Sequence, residues 1–422
     1  MRPPVRSRAF ATSVVLVALV AGCGASTPSP APSGPSATVV ADANPTTQAS
    51  PSTRARPSSP AAGATGYTRK LGDIVFARNA TGSDQVSLFT VDASGRNEQL
   101  IHGSWDGIGL SPDGQTFLSP TVAPDGRLLP LLVAADGSGE EFIQVADQTL
   151  QLGIGDWSPD SARLVFDAWD DTDASRKGLY TMSRDGHDLV RLTEAGPRHD
   201  FPAYAGAYSA DGDRILFFRP ATSVDADGVS MDLFVVNADG TNTVKLNPAG
   251  TETILFGPSG ASDWSPDGKQ VAFVGSDGDF WKTDRHAVFT VGADGSHSKR
   301  ITPWGDVLSV QWSPDGKTLA FTMASPTEYQ IFAIRPDGTG IVQITSSNDG
   351  TQSFGPMWSP DGARLLFIRG ALSTGASSTG VAGRIAELRS AKDLWVMNAD
   401  GTDPVQVTHS SSEYGGYAWT PR

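Results

Sequence analysis

Four stretches hold side chains able to recognise or transform a ligand. They are "WDG" (Trp105, Asp106), "GPRHDFPAY" (Arg198, His199, Asp200), "PWGD" (Trp304, Asp306) and "SSEYGG" (Glu413, Tyr414). Aromatic rings mixed with both signs of charge suit the capture of a protein or a glycan, in which stacking area and a few oriented polar groups supply selectivity. A second group is acidic: "DAWDDTD" contains Asp170 and Asp173, and "DADGVSMD" contains Asp225 and Asp227. Calcium takes about six to eight oxygen ligands, so these are weak calcium candidates. Neither stretch matches the calcium loop that closes on a placed glutamate.

Catalytic spacing is poorer. The chain contains no "HExxH", no "GxSxG" elbow, no glycine-rich phosphate loop, and no cysteine after Cys23. Of the six histidines, which are scattered, His199 alone falls in a stretch that could face a ligand. The reading is a non-catalytic protein with no cofactor, calcium aside. A pair of acids distant in sequence could still meet in space.

The elements that must position these residues are written repeatedly. In "WSPDGKQVAF", Ser265 and Pro266 begin a type I turn, Asp267 suits its third place, and Gly268 supplies a positive φ. Trp264 on one side, and Val271 alternating with Phe273 on the other, read as two strands of a hairpin. The phrase returns at Leu110, Trp157, Tyr208, Trp312 and Trp358, and the chain ends on "WTPR" at Trp419, which makes seven copies 46 to 61 residues apart. A second hairpin lies between them, as in "LFVVNADGTNTVKLN" and "IFAIRPDGTGIVQIT", again seven times. About four strands per repeat of this length mark a propeller blade. The phase predicts closure: the first unit, from "DIVFAR", lacks a tryptophan strand before it, and the last copy has only that strand. Pairing the two ends would complete a seventh blade and abolish the open edge.

Repeated "WSPDG" with a downstream "DG" hairpin and an "LT" ending resembles the WD-like repeat of the TolB family over residues 71 to 422. The resemblance implies an all-β, seven-bladed propeller. Proteins with this repeat include scaffolds of the cell envelope, propeller domains of peptidases, and polysaccharide lyases. TolB itself has a separate α/β domain and six blades, so its specific role is not implied. A lyase of this kind would need several histidines converging on a metal, which this chain does not offer.

In such a ring the tryptophan strands should be innermost, with the five repeat tryptophans packing blade on blade. The "SPDG" and "DG" turns should lie on one face as short turns. The connections between second and third strands, and between blades, should lie on the other and be long. The four ligand-type stretches all precede innermost strands, so they are predicted to ring one mouth of the channel.

The ends and the composition place the ring. Arg2, Arg6 and Arg8, an apolar core from Ala9 to Val20, and "LVAGC" resemble a lipoprotein signal, residues 1–22, with lipid attached at Cys23. Residues 23–66 are Ser, Thr, Pro, Ala and Gly and cannot build a core, so they read as a disordered linker. Its reach is about 35 to 40 Å as a flexible coil. The folded unit is predicted over 67–422. The net charge of −14 comes mostly from 38 Asp, sixteen of which precede Gly in turns. A negative surface argues against nucleic acid. The sequence therefore reads as a monomer outside the cytoplasm, anchored to a membrane by its lipid, that binds an envelope protein or a cell-wall glycan. The alternative is a carbohydrate-active or lactone-hydrolysing propeller. The insertion at 371–392 reads as a short helix or a flap.

Overall fold

The computed structural model describes residues 71–421, except 80–85, 104, 106–108, 195–202, 226–227, 254–259, 279–282, 284, 326–327, 348–349, 372–392 and 410–413. Its strands form seven antiparallel sheets, each one blade of a ring. Blade 1 comprises Thr116–Val122, Leu128–Ala134 and Glu140–Phe142, with Leu110 bridging to Phe117 on the inner side. Blade 2 runs from Leu150–Trp157 to Val190–Arg191, and blade 3 from Tyr204–Tyr208 to Val244–Lys245. Blade 4 is built on Ser262–Trp264, Gln270–Asp277, His286–Gly292 and Lys299–Arg300, with Thr251–Glu252 added beside its second strand. Blade 5 runs from Val307–Trp312 to Val342–Gln343, and blade 6 from Thr351–Trp358 to Val405–Gln406. Blade 7 is shared by the chain's two ends: Tyr414–Trp419 pairs with Ile74–Asn79, followed by Val86–Val91 and Gln99–His102.

The repeat position two residues into the paired part of each second strand sets the core. Phe76, Phe166, Phe217, Phe273, Phe321 and Phe367 occupy it in six blades, all fully buried. Four of them stack on a phenylalanine of the third strand, at centroid separations of 5.3 to 5.7 Å. Blade 1 has Ser119 there and buries Phe117 two residues earlier.

The tryptophan strands are innermost and touch their successors around the ring, as predicted. The indole N–H of Trp157 donates to the Gly109 carbonyl, that of Trp264 to Ala207 and that of Trp419 to Met357, each at 3.0 Å and each across a blade boundary. The small residues before them have a local cause. The pairing shifts register between Leu152 and Gly155 and between Ala205 and Tyr208. At these bulges a β-carbon on Gly155 or Gly206 would lie 2.8 or 2.6 Å from a second-strand carbonyl oxygen.

The short turns carry a denser network than turn preference alone implies. In blade 4 the Ser265 hydroxyl donates to Asp267 at 2.7 Å and accepts from the Gln270 N–H at 2.9 Å, while Asp267 also accepts from the Lys269 N–H at 3.1 Å. Ser158 with Asp160, Ser209 with Asp211, Ser313 with Asp315, and Ser359 with Asp361 repeat it. Gly268 has φ 66°, and blade 2 holds the same bend with Ser161 at φ 59°. The "LT" ending also has a function in the fold. Hydroxyls of Thr193, Thr302, Thr345 and Thr408 accept the backbone N–H of Leu179, Val288, Ile331 and Leu394 at 2.9 to 3.0 Å, where the outer strand has already turned away.

Blade 7 rebuilds this turn from two chain ends. Thr420 stands where the other blades have serine, and its N–H donates to the Asp73 carbonyl at 2.9 Å, matching Ser265 to Gln270. Its hydroxyl donates to the Gly72 carbonyl at 2.9 Å. Pro421 lies against Gly114 at the same 3.7 Å that separates Pro159 from Gly212 and Pro266 from Gly316, measured from each glycine's β-carbon position. The ring is closed by a split copy of its own repeat.

Candidate binding face

Turns of the "SPDG" and "DG" type fill one face. The opposite face is uneven, and three of its connections between second and third strands depart from the expected long loops, with only 123–127 between those strands in blade 1, 226–227 in blade 3 and 326–327 in blade 5. In blade 1 the second and third strands are joined by a tight turn, in which Gly126 N–H donates to the Ala123 carbonyl at 2.9 Å, rather than by a long loop. Blade 3 instead extends its hairpin to Asp225 and Gly228.

On this uneven face the residues proposed from sequence divide. Trp105 is only 3 % exposed, its ring edge-on to Phe117 and His102 at 6.0 and 5.5 Å, so it is a packing residue and not part of an exposed rim. It packs in a core shared by Val75, Leu88, Phe117 and Leu131, between blades 7 and 1. Trp304 is half-buried away from the channel. It meets Phe289 edge-on at 5.9 Å, with the guanidinium groups of Arg300 and Arg285 over it at 4.5 and 5.2 Å. Because Arg300 belongs to the outermost strand, this ring covers the outer half of blade 4.

Asp306 does enter a cluster, but a buried one. Its carboxylate accepts from the Tyr329 hydroxyl at 2.5 Å and lies 3.6 Å from Nδ1 of His286, which is fully buried. His286 was not singled out from sequence. It comes from the third strand of blade 4, Asp306 from the approach to blade 5 and Tyr329 from its third strand, so only blade packing reveals the set. The Tyr414 hydroxyl shares a hydrogen bond with Thr408 at 2.5 Å, and its ring is tilted on Phe76 at 5.9 Å. Asp106, Arg198, His199, Asp200 and Glu413 lie outside the described residues, as do Cys23 and the linker.

Two of the four calcium candidates, Asp170 and Asp173, have partners within the chain. Asp170, whose side chain is 5 % exposed, lies 3.0 Å from the Arg176 guanidinium and accepts from the Thr172 hydroxyl at 2.6 Å. These hydroxyl bonds, from Thr172 first, hold its carboxyl far below the usual range. Asp147 flanks the same guanidinium. Asp173 caps the 3-10 turn Ala174–Arg176 by accepting from the Ser175 N–H. The positive charge beside Asp170 is thus an arginine. Asp227 lies outside the described residues, and Asp225 is described for its backbone alone. Among the described residues no three His, Cys, Asp or Glu side chains are grouped to hold a metal.

Two other carboxylates stand on the innermost strands, each just before a repeat tryptophan. Asp263 reaches across to accept the Trp312 N–H of blade 5 at 2.8 Å, and Gln311 does the same for Trp358 of blade 6 at 2.7 Å. Asp156 accepts from its neighbour Trp157 N–H at 2.8 Å. Crowding by the blades raises the Asp156 carboxyl to about 6 and the Asp263 carboxyl to about 7. Sequence position gave no sign of this, because the desolvating atoms come from neighbouring blades.

No protein-family model and no curated protein matches the chain. Solved structures do. The β-propeller domain of the Trilobed protease from Pyrococcus furiosus, described as having an open velcro topology, is similar at TM-score 0.52 and 11 % identity, over 81 % of this chain and 93 % of that one. The oligogalacturonate lyase from Vibrio parahaemolyticus is similar at TM-score 0.50 and 13 % identity, over 81 % and 87 %. A putative TolB from Agrobacterium tumefaciens is similar at TM-score 0.42 and 14 % identity, over 82 % and 93 %. At these identities the likeness is one of fold. In contrast to an open ring, the terminal strands here pair with each other, and the chain is a seven-bladed β-propeller closed by its own C-terminal strand.

Proposed function

We propose that this propeller is a non-catalytic binding platform, held outside the cytoplasm by lipid on Cys23, whose uneven face captures an envelope protein or a cell-wall glycan. The observation that carries this reading is the contrast between the faces. One repeats a single hydrogen-bonded turn from blade to blade, while the other varies from the tight turn at Ala123–Gly126 to the extended hairpin of blade 3. A rigid frame with variable connections on one side is where recognition concentrates. Among the described residues the His286–Asp306 pair near that face is sealed from solvent on the histidine side, which suits a structural role better than proton transfer to a ligand.

The test is photocrosslinking in intact cells. A crosslinking residue placed at Arg198, Trp304 or Glu413 is expected to trap a discrete partner. The same residue at Lys269, Lys317 or Asp361, on the short-turn face, is expected to trap little. Crosslinks confined to the short-turn positions would overturn the assignment, and turnover of a uronate-containing glycan by the purified protein would replace it with the carbohydrate-active reading.

A further inference from the structure

Blades 7 and 3 each lay an arginine on a stacked pair of phenylalanines, and of the two only blade 7 gives it a carboxylate. The Arg78 guanidinium lies 5.4 and 4.5 Å from the ring centroids of Phe76 and Phe89, and its two terminal nitrogens donate to the two oxygens of Glu98, the shorter bond being 2.6 Å. The Arg219 guanidinium lies 5.2 and 5.4 Å from Phe217 and Phe234, a pair stacked like the first. The hairpins that follow align without a gap, "VDASGRNEQL" on "VNADGTNTVK", and Thr243 stands where blade 7 has Glu98. Strand register agrees, because Phe89 pairs with Leu100 and Phe234 with Lys245.

Arg219 is therefore a half-buried charge without a counter-ion among the described residues. One terminal nitrogen, Nη2, donates to the Glu194 carbonyl of blade 2 at 3.3 Å, and the Nε–H is buried with no acceptor. Asp232, opposite it in the ladder, turns instead to Lys245 at 2.7 Å and Asn247 at 2.9 Å. Burial lowers the guanidinium below its usual value, and no acid offsets the shift. Charges withdrawn from water are costly unless paired, and an arginine fork is matched by a carboxylate. We propose that Arg219, at the boundary of blades 2 and 3, is a recognition site for a carboxylate on an acidic segment of a protein partner. The blade 7 copy supplies the ligand chemistry: its carboxylate is a glutamate side chain just ahead of the edge strand Gln99–His102, so a peptide along the rim of blade 3 fits the same place. The proposal rests on the reading of the uneven face as the face of capture, and it names one group which that face takes.

Nuclear magnetic resonance of the full chain, isotope-labelled in its arginines and titrated with glutarate at constant ionic strength, tests it. No partner is needed, so its failure is distinct from failure of the crosslinking experiment. The Arg219 Nε–H signal, assigned by its loss in Arg219→Lys, is expected to shift saturably, with half-saturation on the order of 10 mM for one forked pair of charged hydrogen bonds. The Arg78 signal should stay still, and should respond once Glu98→Gln removes its internal carboxylate. Thr243 is exposed, so substitutions there spare the core. Thr243→Glu should supply the carboxylate from within: the Arg219 signal then ceases to respond to glutarate, and the melting temperature exceeds that of Thr243→Gln. The second readout stands even if Arg219→Lys misfolds. An Arg219 signal that moves no more than those of exposed arginines would overturn the proposal, as would Thr243→Glu and Thr243→Gln proteins that melt alike. Half-saturation by galacturonate at a roughly tenfold lower concentration than by glutarate would overturn the assignment to a protein and give the site to an acidic glycan.

Discussion

A serine hydroxyl and an aspartate carboxylate, repeated around one face, account for much of this protein's acidity without invoking a cationic partner. Hydrogen bonds from Ser158, Ser209, Ser265 and Ser313 hold the carboxyls of Asp160, Asp211, Asp267 and Asp315 below their ordinary value. Stability from these groups is present above the unfolded carboxylate range and lost as pH falls through their lowered values. Asp156 and Asp263 act oppositely. Burial raises them to about 6 and about 7, so the stability they permit is full below the unfolded value and is lost as pH rises through the raised ones. The melting temperature is therefore expected to rise as pH is lowered from about 8 to about 5 and to fall again below about 4. Asp263→Asn keeps an acceptor for the Trp312 N–H, and it should flatten the slope between about 5 and 8. A melting temperature that climbs steadily from pH 5 to pH 8 in the unaltered protein would contradict these assignments.

At the scale of the strand, the sequence was most legible where a blade answers to itself. The turn, the alternating apolar run and the inner place of the tryptophans all follow from local chemistry. What a blade owes to its neighbours was not legible. Trp105 looked like a surface aromatic because nothing in "WDG" shows that Phe117 and Leu131 of blade 1 and Leu88 of blade 7 close around it. The partner of Asp170, a weak calcium candidate by sequence, was not legible because Arg176, which Asp147 also holds, meets it only after folding. The "LT" ending was visible as a phrase, but its purpose was not: the hydroxyl replaces a carbonyl that the departing outer strand no longer offers. Thr302→Val keeps the shape and leaves the Val288 N–H, in the buried third strand, without its acceptor. It is expected to destabilise the fold by about 1 to 3 kcal/mol. Denaturant unfolding would measure this, and a change within error of zero would show that water or another group satisfies Val288.

Across the whole molecule, the prediction drawn from phase, that the tail supplies what the head lacks, is met by the pairing of Trp419 with Ile74 and Tyr417 with Phe76. The structure adds the reason the joint is firm. The Tyr417 hydroxyl donates to the Gly355 carbonyl of blade 6 at 2.6 Å, the Trp419 indole donates to Met357, and Thr420 with Pro421 restores the turn. One strand thus links both chain ends and the neighbouring blade. No helix of the described residues is long and apolar enough to cross a membrane.

The most direct measurement is thermal unfolding of the chain with residues 413–422 removed, compared with the intact chain by circular dichroism and calorimetry. Closure by the last strand requires that the shortened chain lose its single cooperative transition, with Ile74–Asn79 left as an open inner edge. A shortened chain that unfolds in one transition at the same temperature as the intact protein would show that the ring does not depend on this strand.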